Sequence, residues 1–204
     1  GDTVFHLAMK TSQERMVRTM LTSNNVTLDV TITNNNGDTA LHLGCTGKHA
    51  DAVMPFLELH PKMTAQNNDG NTPLHLAYQN ERSEILMHLL RDHMDYLDHR
   101  IRNKDGNTPA HLANKDRVIP FLQPAANIQN NDGDTALHHA ASNGFIKIAK
   151  SLIRTEGADV TIKNGKGKTA ITLARRKAKT ILPLAKRQKV KDTVALLRRA
   201  CPKK

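Results

Sequence analysis

One short phrase returns six times along this chain of 204 residues, and no other feature constrains the fold so tightly. It reads Gly1-Asp-Thr-Val-Phe-His6-Leu-Ala, then Gly37-Asp-Thr-Ala-Leu-His42-Leu, then Gly70-Asn-Thr-Pro-Leu-His75-Leu-Ala. It comes back as Gly106-Asn-Thr-Pro-Ala-His111-Leu-Ala, Gly133-Asp-Thr-Ala-Leu-His138-His-Ala and Gly167-Lys-Thr-Ala-Ile-Thr172-Leu-Ala. The glycine-to-glycine steps are 36, 33, 36, 27 and 34 residues. A period of this size marks a repeat array, in which no unit buries its apolar face alone and neighbours supply the core.

The phrase also dictates local structure. Thr3, Thr39, Thr72, Thr108, Thr135 and Thr169 stand where a helix needs an N-cap hydroxyl for its orphan N–H groups. Pro73 and Pro109 follow at the first helical position, where a missing N–H costs nothing. Asn34, Asn67, Asn103, Asn130 and Asn164 each precede the phrase glycine by three residues and close a turn through their side chains. Each unit therefore reads as a turn, a short first helix and a second helix such as Glu84-Ile-Leu-Met-His-Leu-Leu90.

The period and the phrase G-x-T-P-L-H-x-A resemble the ankyrin-repeat family over essentially the whole chain. The resemblance implies one all-α domain over residues 1–204, a solenoid of about six helix-turn-helix repeats with β-hairpin or turn fingers. Repeats start near residues 1, 37, 70, 106, 133 and 167, with a basic C-terminal cap over 186–204. It also implies a binding scaffold that holds a protein partner in a concave surface of finger tips and first helices. The residues flanking the repeat glycine would carry recognition: Asn35, Asn36 and Asp38; Asn68, Asp69 and Asn71; Lys104, Asp105 and Asn107; Asn131, Asp132 and Asp134; Lys166 and Lys168. First-helix ends add Tyr78, Gln79, Asn80, Ser142 and Asn143, with Tyr78 either an exposed anchor or packed under the neighbouring turn.

The array is irregular. Val53-Met-Pro-Phe-Leu57 starts 11 residues after His42, whereas Val118-Ile-Pro-Phe-Leu122 starts 7 after His111. About one helical turn, roughly 5–6 Å, is missing between the two helices of the fourth repeat. Pro55 and Pro120 fall inside presumed second helices, with Pro183 near the matching place in the last, so short, kinked or deliberately bent helices are expected there. The opening on Gly1-Asp-Thr, without its turn, reads as a piece of something longer or an array whose cap is gone.

Catalytic and metal chemistry find little support. Five of the 11 histidines belong to the phrase, where the ring would bond backbone or the neighbouring Thr. His88, Asp92, His93, Asp95, Asp98 and His99 form the densest remaining cluster, which reads as a solvated charged face because the spacing does not converge on one site. Cys45 is expected to be a buried inert thiol, and two cysteines (Cys45, Cys201) favour a reducing compartment, cytoplasmic or nuclear, over a disulfide framework. Gly165-Lys-Gly-Lys-Thr169 lacks the first glycine of a phosphate loop, where Ile162 stands. No enzyme, cofactor, metal or small-molecule substrate is expected, and no apolar run is long enough to span a membrane.

Charge separates along the chain. Of 30 Lys+Arg and 19 Asp+Glu, residues 1–162 hold 15 and 18, a net of −3. Residues 163–204 hold 15 and one, Asp192, a net of +14. The basic block includes Arg175, Arg176, Lys177, Lys179, Lys186, Arg187, Lys189, Lys191, Arg198 and Arg199, and Val190, Val194, Leu196 and Leu197 suggest an amphipathic helix within it. It reads as the polar face of a terminal repeat, a nuclear-import signal, or a patch for an acidic protein, anionic lipid or RNA, with base stacking disfavoured because no aromatics interleave. The opening phrase and the two 36-residue repeats also look like the inhibitors of NF-κB, which implies a Rel dimer as partner, although those inhibitors carry an acidic tail and this chain ends basic. An adaptor or a secreted microbial effector acting in a host cell is the other specific expectation.

Overall fold

The computed structural model describes the chain apart from residues 12, 23–28, 48–49, 115–124, 155–156, 180–183 and 201–204. Side chains are also left out at 83, 178–179, 184–187 and 189–190. The rest is helical, with strand-like pairing among the described residues confined to isolated bridges at Thr33–Thr39 and Lys163–Thr169 in two of the turns. Two compact units result, Gly1–Lys104 and Asp105–Lys204.

The first unit stacks three turn-helix-helix motifs. Its helices are α1 (Val4–Lys10), α2 (Glu14–Thr22), α3 (Ala40–Thr46), α4 (Val53–Leu57), α5 (Pro73–Gln79) and α6 (Ser83–Asp92), followed by a 3₁₀ turn at Met94–Tyr96. First helices pack in a row, α1 on α3 and α3 on α5, each backed by its own second helix, and α2 also packs on α4. Alanines and one thiol line the contacts (Ala8, Ala40, Cys45, Ala77), letting helices approach closely, while Met9, Leu41, Phe56, Leu74, Ile85 and Leu86 fill the remaining volume. Phe5 meets the Phe56 ring edge-on at 5.5 Å.

The expectation of a short second helix holds at α4, which has five residues. Pro55 is its third residue, within the first turn where no N–H finds an intrahelical acceptor, so the helix starts late enough to accommodate it. The matching run at 118–122, with Pro120, and also Pro183 and Cys201, lie outside the described residues.

The second unit opens on a 3₁₀ turn, Pro109–Leu112, and continues through α7 (Ala136–Asn143), α8 (Ile146–Arg154), α9 (Ala170–Lys179) and α10 (Leu184–Ala200). That 3₁₀ turn is the first helix of the fourth repeat. It has four residues where α3 and α5 have seven, and Ala113 is already extended after it. The first helix of this repeat is thus shortened at its C-terminal end. α7 stops at Gly144 in the left-handed conformation (φ 73°), the usual glycine C-cap.

α10 packs on α7, α8 and α9 and buries Thr193 and Leu197, so the expected amphipathic docking helix is present. It begins at Leu184, in the second-helix position of the sixth repeat, and runs for 17 residues. Of the basic residues expected in a cap over 186–204, Lys191, Arg198 and Arg199 are exposed on this helix. The side chains of Lys179, Lys186, Arg187, Lys189 and Val190 lie outside the described residues. No described helix is long and apolar enough to cross a membrane.

Candidate binding surface

Each finger is built by one asparagine and one histidine, and their hydrogen bonds decide which residues remain for a partner. Asn34 Oδ1 accepts the backbone N–H groups of Asn36 and Asp38, both at 3.0 Å. Asn67, Asn130 and Asn164 repeat the arrangement on the second and fourth residues after them. The turn then needs a left-handed residue, and Gly37, Gly70, Gly106, Gly133 and Gly167 supply it with φ of 67–77°.

Each asparagine uses its amide nitrogen as well. Asn34 Nδ2 donates to Asp2 Oδ1, Asn67 to Asp38 and Asn103 to Asn71 in the first unit, at 2.7–2.9 Å. Asn130 donates to Asn107 and Asn164 to Asp134 in the second, both at 2.8 Å. The residue after the glycine is thus the acceptor that clamps the following finger. Asp38, Asn71, Asn107 and Asp134, expected to contact a partner, are corrected to this structural role. Asp38 is only 8% exposed, and the others are half-buried.

The phrase histidines form a second ladder. His42 Nδ1 lies 3.1 Å from the Thr39 backbone N and 2.8 Å from Thr39 Oγ1, and Nε2 lies 2.9 Å from the Asn71 carbonyl oxygen. A backbone N–H can only donate, so Nδ1 carries no proton and the neutral ring donates through Nε2 to the next finger. His6 reaches the Asp38 carbonyl, His111 that of Asp134 and His138 that of Lys168, at 2.8–3.0 Å. Burial lowers the pKa of His42 and His138 from 6.5, against the raising effect of the carbonyls they bond. These histidines join neighbouring repeats.

The other chemical candidates resolve similarly. Cys45 is fully buried, and burial pushes its thiol up to about 12, as an inert packing residue requires. His88 meets Asp92 at 3.3 Å, and Arg91 grips the same carboxylate at 2.7 Å. That pairing holds Asp92 down at about 2, chiefly through the Arg91 hydrogen bond. No group of three or more His, Cys, Asp or Glu side chains among the described residues could hold a metal ion. Gly165 and Gly167 belong to the sixth finger, where Gly165 N donates to the Asp132 carbonyl at 2.8 Å.

What remains outward are the tips. Asn68 N donates to Asn36 O, Lys104 N to Asp69 O and Asn131 N to Asp105 O, at 2.9–3.0 Å, so adjacent tips are pinned through their backbones. The side chains of Asn35, Asn36, Asn68, Asp69 and Lys104 are exposed in the first unit, as are those of Asp105, Asn131, Asp132, Lys166 and Lys168 in the second. In the first unit Asn35 and Asn36 border a shallow hollow with Lys10 and Leu43 from the neighbouring first helices. Gln79 and Asn143 are exposed at first-helix ends, and Asn80 and Ser142 are half-buried. Tyr78 is the clear correction: it is 0% exposed, on the face of α5 that also buries Leu74 and His75, and is no anchor for a partner.

Three features escaped the sequence. Gln66 bridges two fingers, from Gly70 O at 2.7 Å to Arg102 O at 3.0 Å, and Gln129 does the same between Gly133 O and Lys163 O. Their shared place just before the turn asparagine was the available signal. Met87, Met94 and Tyr96 are exposed around the end of α6, with Tyr96 at 59%, and no periodicity marked them. Thr172, in the histidine position of the sixth phrase, has an exposed side chain whose hydroxyl lies 3.0 Å from that of Thr169.

Comparison with known proteins agrees with this construction. The family model for ankyrin repeats (three copies) matches residues 47–123 and 114–194. No curated protein matches the sequence. Among solved structures, a chain from the predatory endopeptidase Bd0816 of Bdellovibrio bacteriovorus in complex with immunity protein Bd3460 is similar in fold. It superposes with a TM-score of 0.75 over 98% of both chains at 23% identity. With its capped turns, histidine ladder and matched family model, the chain belongs to the ankyrin-repeat family.

Proposed function

We propose that this chain is a non-catalytic scaffold that binds a protein partner through its finger tips and first-helix ends. The observation that carries the reading is a division of labour within each finger. The asparagine, the histidine and the residue after the glycine hold neighbouring fingers together, while the two residues before the glycine are exposed on backbones pinned to the adjacent tip, where Asn68 Nδ2 also donates to the Asn35 carbonyl at 3.0 Å. Pinned tips lose little conformational entropy on binding, which is what a recognition surface requires. Asn35, Asn36, Asn68, Asp69 and Lys104 form that surface in the first unit; Asp105, Asn131, Asp132, Ser142 and Asn143 do so in the second. A solved fold neighbour taken from a protein–protein complex is in keeping with such a role. The free, buried Cys45 suits a reducing compartment, cytoplasm or nucleus, as the place of action.

The test is a pull-down with the intact chain and two charge-matched variants. Asn36→Arg with Asp69→Arg alters the tips, and Asp51→Arg with Glu58→Gln makes the same change of charge at exposed residues flanking α4. Recovery of one stoichiometric partner by the native chain and by the α4 variant, with loss in the tip variant, supports the proposal. The opposite pattern overturns it. A Rel protein as the recovered partner would select the NF-κB-inhibitor reading, and a host protein recovered by a microbial chain would select the effector.

A further inference from the structure

The scaffold reading leaves the sixth repeat unexplained. Of the 16 charged residues in 163–204, 15 are basic, so the segment cannot neutralise itself. Its turn carries Lys163, Lys166 and Lys168, all exposed, on a finger whose backbone is fully organised. Asn164 Oδ1 accepts from both Lys166 N and Lys168 N, Asn164 N donates to Lys168 O, and Gln129 Nε2 donates to Lys163 O. The lysine stems thus project from fixed points.

α9 continues the strip. In earlier repeats the phrase histidine is buried and spends its ring on the next finger. Here Thr172 takes that place with its side chain exposed. Arg175 and Arg176, three and four residues further on, share its helix face and are exposed. The surface therefore runs from lysines through a hydroxyl to two guanidinium groups that can grip carboxylates in bidentate fashion. Thr172 and Arg176 are about 6 Å apart along the helix. Same-face side chains of an extended peptide recur at about 6.6 Å, so alternate acidic residues would meet successive donors.

Resting on the scaffold reading above, we propose that the sixth finger and the outer face of α9 bind an extended, carboxylate-rich segment of a protein partner. RNA fits less well, because 163–204 contains no aromatic residue on which bases could stack. A membrane surface fits less well too, since α10 is engaged by α7, α8 and α9, and among the described residues the strip has no large exposed apolar side chain to enter lipid.

The experiment uses the full chain and fluorescence anisotropy with a labelled Ser-Glu repeat peptide. Oligouridylate of equal length and phosphatidylserine-containing vesicles serve as competing probes. Peptide binding is expected, weakening with salt. Replacing Arg175→Gln and Arg176→Gln is expected to weaken it about tenfold, by removing two charge-assisted sites. Lys191→Gln with Arg198→Gln removes equal charge from exposed sites on α10 and should change binding less than about twofold. Equal losses in both pairs, tighter binding of oligouridylate or vesicles, or no peptide binding would each overturn the proposal. A chain that ignores the peptide yet captures a partner through Asn36 and Asp69 would leave the scaffold reading standing and remove only this inference.

Discussion

Replacing His42 with alanine tests the histidine ladder at a fully buried rung. The ring is 0% exposed and satisfies three groups: the Thr39 N–H, the Thr39 hydroxyl and the Asn71 carbonyl. Leaving a buried polar group without its partner costs about 1–3 kcal/mol, and the vacated space adds a cavity. Water can reach the Asn71 carbonyl at the half-buried finger edge, so the total expected is about 3–5 kcal/mol rather than the full sum. His88→Ala, at a partly exposed site whose side-chain partners Asp92 and Arg91 are themselves exposed and paired with each other, should cost less than about 0.5 kcal/mol. Urea denaturation followed by circular dichroism measures both.

The same variant reads the protonation state. His42 and His138 have folded-state pKa values lowered from 6.5 by burial. Below pH 6.5 the unfolded chain therefore binds protons that the folded chain refuses, and stability falls as pH falls towards the folded-state values. Each such group contributes at most about 1.4 kcal/mol per pH unit. Lowered carboxylates such as Asp98 and Asp159 stay ionised in both states until the pH nears 3.8, so the interval from pH 6.5 to 5 isolates the histidines. His42→Ala should flatten the slope of stability against pH in that interval. A loss below about 1 kcal/mol at pH 7.5, or an unchanged slope, would refute the neutral Nε2–H ladder.

Other perturbations separate the remaining forces. Gly133 and Gly157 both have positive φ, but a Cβ at Gly133 would run into the Gly165 backbone whereas one at Gly157 meets nothing within 4 Å. Gly133→Ala should cost well over 2 kcal/mol and Gly157→Ala about 1, measured by denaturation; equal costs would refute the close approach of the fifth and sixth fingers. Asn67→Ala removes the acceptor of two turn N–H groups and the donor to Asp38, and should cost about 2–3 kcal/mol. In a Cys201→Ser background, the Cys45 thiol should resist a disulfide reagent at pH 8 until denaturant is added. Rapid native labelling would contradict its burial.

The sequence exposed the caps and turns, which depend on residues close along the chain, and misled where a residue serves its neighbour one repeat away. Threonine caps, turn asparagines, the inert Cys45 and the short α4 follow from spacings of a few residues, which a repeat displays five or six times over. The position after the glycine looked free to vary because Asp38, Asn71, Asn107 and Asp134 differ in type. Either a carboxylate or an amide oxygen accepts from the next asparagine, so chemical interchangeability passed for recognition. Tyr78 was ambiguous because its periodicity puts it on the buried face of α5 while its hydroxyl suggested solvent. The repeat phrase fixes what one finger does for the next, and the residues it leaves unspecified are those whose side chains the ladder does not use. By that criterion the side chains of the exposed tips Asn36, Asp69 and Asp132, and of the basic strip from Lys166 to Arg176, can be exchanged without unfolding the array, which is what the proposed partner contacts require.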